Sequence, residues 1–378
     1  MTVKLMNTIA RETHGKSCGT LGIKLDDSGT DDDEVISVWQ SSAESSHKGK
    51  YISLEALAKS LALSDEQILT YFLDGSRRVF KPSEIAYEYS GGRRGVYPVM
   101  AGQIAVGCCR RGHRKLVPEK LKYEIVIALP ESADYDDNAK RGFWEGLRCK
   151  FSAQLEPLGL EVAKVLPYKT GRDSRNTSFE DRGTAAIQSR MLECEREITE
   201  YLVRRKLLSH KNYLVKDGSL EYWKKSGLPS QNYRWVIGLS KSFNPEACTD
   251  IHGKPDPGYI ADLPVNHRTQ AARYMNSSFF GEARFAVWYI RLHDRRRMRS
   301  AFDGIVKAEK MLVTREEIDS GFMDSSEIDT LSEYILNERC PVCYGSDSRW
   351  TSHIYPVYLT ESCIKSKYIS TESFLNLF

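Results

Sequence analysis

Two short β-prone runs, Ile68-Leu69-Thr70-Tyr71-Phe72-Leu73 and Tyr213-Leu214-Val215, lead into the same tripeptide, Asp74-Gly75-Ser76 and Asp217-Gly218-Ser219. Further strand-like runs cover residues 97–106 and 121–129, separated by a basic loop at 110–115, and Trp235-Val236-Ile237-Gly238-Leu239. Residues 285–292 and 304–309 read as a hairpin, and 355–359 as a short strand segment before a final helix over 361–378. A period near 3.6 appears elsewhere. Leu54, Leu57, Ala58 and Leu61 predict a short helix, with a capping-box pattern at Ser64-Asp65-Glu66-Gln67 close behind. Residues 139–158 carry Phe143, Trp144, Leu147, Phe151 and Leu155 on one face, and 184–208 carry Met191, Cys194, Ile198 and Leu202. Ser325–Asn337 places Ile328, Leu331, Ile335 and Leu336 inward, and 244–264, rich in proline and glycine, reads as a surface loop.

Composition narrows the class. The chain has 378 residues, 41% apolar and 28% charged, which suits a soluble globular protein of one large domain with insertions or two ordinary ones. It holds no apolar run long enough for a bilayer and no signal-peptide core, so no membrane association and a cytoplasmic location are the expectations. Nine unevenly spaced cysteines read as reduced thiols. A net charge of +3 restricts any nucleic-acid surface to a local patch. Residues 1–50 look least organised: 26–34 is an acidic, turn-rich loop without EF-hand spacing, and 40–50 is a serine-rich linker.

The repeated Asp-Gly-Ser carries the candidate chemistry. A strand that delivers a carboxylate at its end, followed by a glycine turn, leaves room for an ion or substrate. Asp74 and Asp217 are the principal ligands on this reading, with a glutamate of the 184–208 helix completing the set. Carboxylate oxygens suit magnesium or manganese, and two such ions roughly 4 Å apart can hydrolyse a phosphodiester. Lys241, after a neighbouring strand, is placed to stabilise charge on phosphate. Arg77, Arg78, Arg295, Arg296 and Arg297 would hold a nucleic-acid backbone without reading bases, although the 293–299 run reads equally as a solvated turn. Arg190, Glu193 and Glu197 share one helix side, where a surface ion pair is the plain alternative to a ligand role. Cys248 with His252, and Cys340-Pro341-Val342-Cys343, lack the partners of a zinc site.

The order of these pieces resembles the NurA nuclease family: the first DGS after a strand, a helix carrying arginine and glutamate, DGSL, VIGLSKS, YIRL, and a terminal YPVYL with a helix. The resemblance spans about residues 65 to 378. It implies an α/β, RNase H-like mixed β-sheet flanked by helices, with insertions, over residues 51–378 behind an N-terminal extension. It further implies a manganese- or magnesium-dependent DNA nuclease that forms a homodimer. Such a nuclease works with a HerA-type hexameric ATP-driven translocase in DNA end resection and repair, or in antiphage defence. Carried onto this chain, the family's aspartates fall on Asp74 and Asp217. Its helical glutamate falls on Glu193, with Glu197 as alternative. Where the family places a histidine or acid after the YP-x-x-L segment, this chain has Ser362-Cys363, so that either His353 substitutes as fourth ligand or the fourth ligand is missing. Two other readings stand beside this one: a catalytically weak RNase H-like scaffold binding DNA or the translocase, and an unrelated α/β protein whose DGS tripeptides are plain turns.

Overall fold

In a computed structural model of the chain, the described residues are 4–25, 40–46, 49–55, 67–89, 91–113, 115–134, 142–171, 177–220, 230–248, 252, 254–275, 284–340 and 348–378. The chain opens with α1 (Leu5–Glu12), β1 (Lys16–Ser17), β2 (Ile23–Leu25), β3 (Gln40–Ser42) and β4 (Tyr51–Ser53). Three long strands follow as a meander, β5 (Leu69–Glu88), β6 (Arg94–Gly112) and β7 (Lys115–Pro130). Helix α2 (Phe143–Leu155) leads to β8 (Val162–Tyr168), and α3 (Phe179–Arg204) leads to β9 (Tyr213–Asp217) and β10 (Val236–Ser240). The remainder comprises α4 (Pro257–Ala261), β11 (His267–Thr269), β12 (Ala272–Met275), β13 (Arg284–Arg291), β14 (Ile305–Met311), α5 (Arg315–Ser320), α6 (Ser325–Asn337), α7 (Tyr355–Lys365) and α8 (Thr371–Leu375).

The strands form one mixed sheet in the order β3-β12-β13-β14-β10-β9-β5-β6-β7-β8, and helices flank it. The meander is antiparallel, whereas β9 returns parallel to β5 and β10 lies parallel to β9. Strand β10 is buried at every position, as a central strand covered on both faces must be. On one face α3 packs against β5 to β8, its stripe of Ile187, Met191, Cys194, Ile198 and Leu202 meeting Leu73, Ile104 and Val106. On the other face α6 and α7 cover Phe72, Val215, Ile237 and Trp288.

Several elements differ from expectation. Helix α3 starts at Phe179 rather than near 184, because Ser178 and Asp181 form a reciprocal capping box upstream of the apolar period. It stops at Arg204 rather than 208, where Lys206 turns to φ 55°. The basic stretch at 110–115 is not an open loop, since Arg110, Arg111 and Gly112 of β6 still pair with Val117, Leu116 and Lys115 of β7. Residues 244–264 include the helix α4. The YPVYL segment is the start of α7 and not a strand. Pro356 in the first turn suits a helix start, and the chain before it makes one isolated bridge, Arg339 to Ile354. The helix expected over 361–378 is split between α7 and α8. The expected helix around Leu57 and the capping box at 64–66 lie outside the described residues, as do the acidic loop at 26–34 and Cys343.

Parts of the N-terminal stretch expected to be least organised belong to the sheet and its core. Strands β1 and β2 pair with the far half of β5, and Leu5, Met6 and Ile9 pack with Phe80, Phe151 and Phe374. Glu44 holds the wholly buried Arg268 through two bonds of 2.7 and 3.0 Å and accepts the Ala271 N–H at 2.6 Å.

Candidate active site

The two Asp-Gly-Ser tripeptides have different structures. The second is a turn: β9 ends at Asp217, Gly218 has φ 86°, and its N–H donates to Leu239 O at 2.7 Å. The buried Glu309 of β14 pins this turn, accepting from Ser219 Oγ and from the Leu220 N–H, each at 2.9 Å. The first is no turn. Strand β5 runs straight through it, with Asp74 opposite Gly107 and Gly75 opposite Val106 of β6. Asp74 therefore sits inside a long strand, held there because β6 pairs along the whole stretch while β9 pairs only as far as Leu73. Among the described residues, no strand covers that edge of β5 between Leu73 and Val79, where β2 takes over.

Gly75 serves close approach. A Cβ there would lie 2.5 Å from Oε1 of Glu195, which comes from the middle of α3. Gly75→Ala is expected to push Glu195 out of place and cost about 1–3 kcal/mol in chemical-denaturation stability. An unchanged denaturation midpoint would show that α3 yields freely.

Residues alternate across the strands, so Asp74 and Asp217 face α7, whereas Glu195 and Lys216 lie on the α3 side. Gly107, the partner of Asp74, packs against Ile364 of α7. From the loop after β10, Lys241 Nζ reaches Asp217 Oδ2 at 2.8 Å and Glu361 of α7 at 3.7 Å. Lys216 Nζ reaches Glu195 Oε2 at 3.0 Å and donates to Asp217 O at 3.0 Å. Asp74 is 4% exposed, and its Oδ2 is buried without a hydrogen-bond partner.

These carboxylates divide electrostatically. Burial, then the neighbouring Asp217 charge, pushes the Asp74 carboxyl well above its ordinary range. Asp217 is held below that range: burial works against ionisation, but Lys241, with His353 and Lys216, prevails. Burial raises Glu195, although Lys216 opposes it. Glu361 is held down against burial by Lys241 and Lys365. The Lys241 ammonium is raised by Asp217, Asp74 and Glu361 despite desolvation. Two strand acids of opposite tendency in one buried place mark a site built for charge, since apolar packing would be less costly.

The other expected residues fall as follows. Glu193 is turned away from the site into ion pairs with Lys164 at 3.2 Å and Arg190 at 2.8 Å. Glu197 pairs with Arg190 and Lys122. The glutamate that the fold brings to the aspartates is Glu195, because Met191, Ile198 and Leu202 on its own side face the sheet. That signal was readable: a carboxylate four residues after Met191 and three before Ile198 lies inside the buried stripe. The buried His353 acts on Asp217 from beside α7. Cys363 is on α7, but Glu361, two positions earlier, supplies an acid; reading that segment as a helix would have found it. Arg78 stacks on the Tyr368 ring at 4.6 Å and donates to Ile369 O, so it docks the C-terminal tail. Arg77 follows Gly75 along β5. Arg295 and Arg296 sit after β13 at the end of the sheet where β10 terminates, Arg296 held by Asp294. The side chain of Arg297 lies outside the described residues.

In kind, the donors suit a hard divalent cation: carboxylate oxygens, one of them orphaned and buried. In geometry they fit less well. Among the described residues no three acid, histidine or thiol side chains converge closely enough to hold a metal ion, and ammonium groups contact three of the four carboxylates. The eight described cysteines are free thiols, and no described helix is long and apolar enough to cross a membrane.

No family model and no curated protein matches this chain. Among solved structures it is similar to the crystal structure of the NurA nuclease from Sulfolobus solfataricus, at 9% identity, over 79% of this chain and 81% of that one, with a TM-score of 0.37. A likeness of that size assigns no family to the chain and leaves its function to be argued from the site.

Proposed function

We propose that this chain is a divalent-cation-dependent DNA nuclease of RNase H-like fold, hydrolysing phosphodiester bonds. The observation that carries the reading is Asp74 and Asp217: a buried and a partly buried acid on adjacent parallel strands, the buried one with an unpartnered oxygen. The mixed sheet, antiparallel through the meander and parallel at β9 and β10, supports the RNase H-like part. Asp74 and Asp217 would hold manganese or magnesium, with Glu195 and Glu361 behind them. The cation, when bound, supplies a nucleophile at neutral pH and neutralises phosphate charge. Lys241 bridges Asp217 and Glu361 and would present fixed positive charge to a phosphate entering beside them. Arg295 and Arg296 extend that charge along the same end of the sheet, where a backbone contact needs no base reading. A homodimer, a HerA-type translocase partner, a role in end resection or antiphage defence, and a cytoplasmic location remain part of the proposal through the family resemblance.

The scaffold reading has one observation in its favour: Lys216 and Lys241 already contact acids of the cluster. Purified protein incubated with end-labelled linear DNA and manganese, magnesium or chelator separates the two. Manganese-dependent cleavage lost in Asp217→Ala supports the enzyme. Intact DNA throughout, also with the translocase added, supports the scaffold. Within the active protein, Glu195→Gln is expected to lower turnover about 100-fold or more, and Glu193→Gln by no more than about twofold. Equal losses in both would refute the assignment of Glu195.

A further inference from the structure

Exposed cations gather at one end of the sheet. Strand β5 begins there, Leu69 standing beside Tyr213, the first residue of β9, and Arg110 of β6 pairs with Tyr71 just inside that end. Arg111 donates to Leu69 O at 3.1 Å and so fixes the β6–β7 turn over it. Helix α3 ends at the same place, its Tyr201 beside Lys120 of β7. The return to β9 starts with Arg205 and Lys206 and closes in a tight turn, bridged from Ser209 to Asn212, that carries Lys211. Glu119 engages Arg110 at 3.3 Å, and Glu200 engages Arg204 at 3.1 Å. Among the described residues, Lys115, Lys120, Arg205, Lys206 and Lys211 are exposed and pair with no carboxylate. Their charge exceeds the net +3 of the whole chain.

A run of like charge is commonly a solvated face whose side chains splay apart in water. Here two of the cations are held together. The Lys120 ammonium lies 5.3 Å and the Arg205 guanidinium 5.7 Å from the centre of the Tyr201 ring, so one aromatic side chain anchors both. The helix dipole accounts for Arg204 and Arg205 at the C-terminus of α3, but not for Lys120 on β7 or Lys211 outside the helix. An anion spanning these groups would relieve their repulsion. Among the described residues, none of the exposed large apolar side chains lies with them, so the surface lacks the apolar centre of a protein interface. A phosphate backbone needs charge alone. The place is also distinct from the candidate active site. Asp217 lies at the other end of β9, and Asp74 faces α7, whereas Lys120, in register with Cys108 and Leu73, faces α3.

We propose that this end of the sheet is a second DNA surface, separate from the Asp74–Asp217 cluster, where Lys120, Arg205 and Lys206 grip the phosphate backbone by charge and read no bases. The choice of DNA as the polyanion rests on the nuclease reading above, so binding is measured apart from cleavage.

The test follows the fluorescence anisotropy of a labelled DNA duplex as full-length protein is added in chelator, at several salt concentrations. With Lys120→Gln, Arg205→Gln and Lys206→Gln combined, affinity is expected to fall about tenfold or more, and the slope of log affinity against log salt to flatten by about 2 to 3. A control combining Lys4→Gln, Lys16→Gln and Lys24→Gln removes the same charge from exposed positions elsewhere and is expected to bind as the wild type does. Equal losses in the two combinations overturn the inference, because net charge alone would then carry the binding. Unchanged affinity in a first combination with native circular dichroism also overturns it. If that combination does not fold, Lys206→Glu with Lys211→Glu, at two exposed positions outside the helix, decides by the same readout. A wild-type protein that binds polyglutamate and not DNA assigns the surface to an acidic protein partner and overturns the inference, as does one that binds neither. Manganese-dependent cleavage, assayed separately, decides the nuclease reading whichever way binding falls.

Discussion

Asp74→Asn is expected to abolish cleavage of linear DNA, by about 1000-fold or more, and to make the protein more stable in the absence of cations. The first effect follows, on the nuclease reading proposed above, from removing a carboxylate whose buried Oδ2 has no hydrogen-bond partner among the described residues. The second follows from the charge. Burial and Asp217 raise the folded-state pKa of Asp74 above its ordinary value of 3.8. A carboxyl raised on folding contributes stability that is fully present below the unfolded pKa and is lost as pH rises through the folded one. As pH rises above the unfolded value the wild-type protein progressively loses that contribution, whereas asparagine does not titrate. In chelator, the variant should melt a few degrees higher at pH 7.5, corresponding to about 1 kcal/mol, and the advantage should shrink toward pH 4. Manganese should close the gap by stabilising only the wild-type fold, through binding to the native state. A variant that melts lower than wild type in chelator at pH 7.5 would show that Asp74 serves packing rather than a charged site.

Glu44→Ala is expected to be among the most damaging substitutions away from that site, at about 3–5 kcal/mol. Arg268 is 0% exposed, and two carboxylates compensate its charge: Glu44 by the paired bonds described above, and Asp329 of α6 at 2.6 and 2.8 Å. Truncating Glu44 also orphans the Ala271 N–H. The clamp joins the segment after β3, the strand β11 and the helix α6, so its loss loosens three parts of one face. Replacing Glu44 and Arg268 together by methionine should cost less than Glu44→Ala alone, because the wholly buried guanidinium is removed and only Asp329, which is partly exposed, loses its ion pair with it. Thermal melts of the single and double variants read this directly. A double variant less stable than either single would show that the pair adds stability beyond avoiding an unpaired charge.

The sequence by itself determined the local elements whose signals are local. The period of Ser325–Asn337 predicted α6 to the residue, and the β-prone runs before Asp74 and Asp217 located β5 and β9. Trp235 to Leu239 likewise anticipated β10, and Lys241 was placed beside it. The hairpin of 285–292 with 304–309 and the mixed sheet flanked by helices were also read correctly, whereas three finer readings failed because they depended on a distant partner. An Asp-Gly-Ser is a turn when nothing pairs with it, as at Gly218, and a strand interior when β6 pairs on past it, as at Gly75. YPVYL has strand composition, yet among the described residues it joins no ladder, and it becomes a helix led by Pro356. Glu193 and Glu195 are two residues apart on one helix; which of them meets the aspartates depends on which face of α3 lies on the sheet. Short-range propensity is a property of a segment, whereas a buried charge is tolerated only where remote chains supply its counter-charges. The tertiary structure alone therefore decided that Glu195, Lys216 and Glu361 join Lys241 around Asp74 and Asp217.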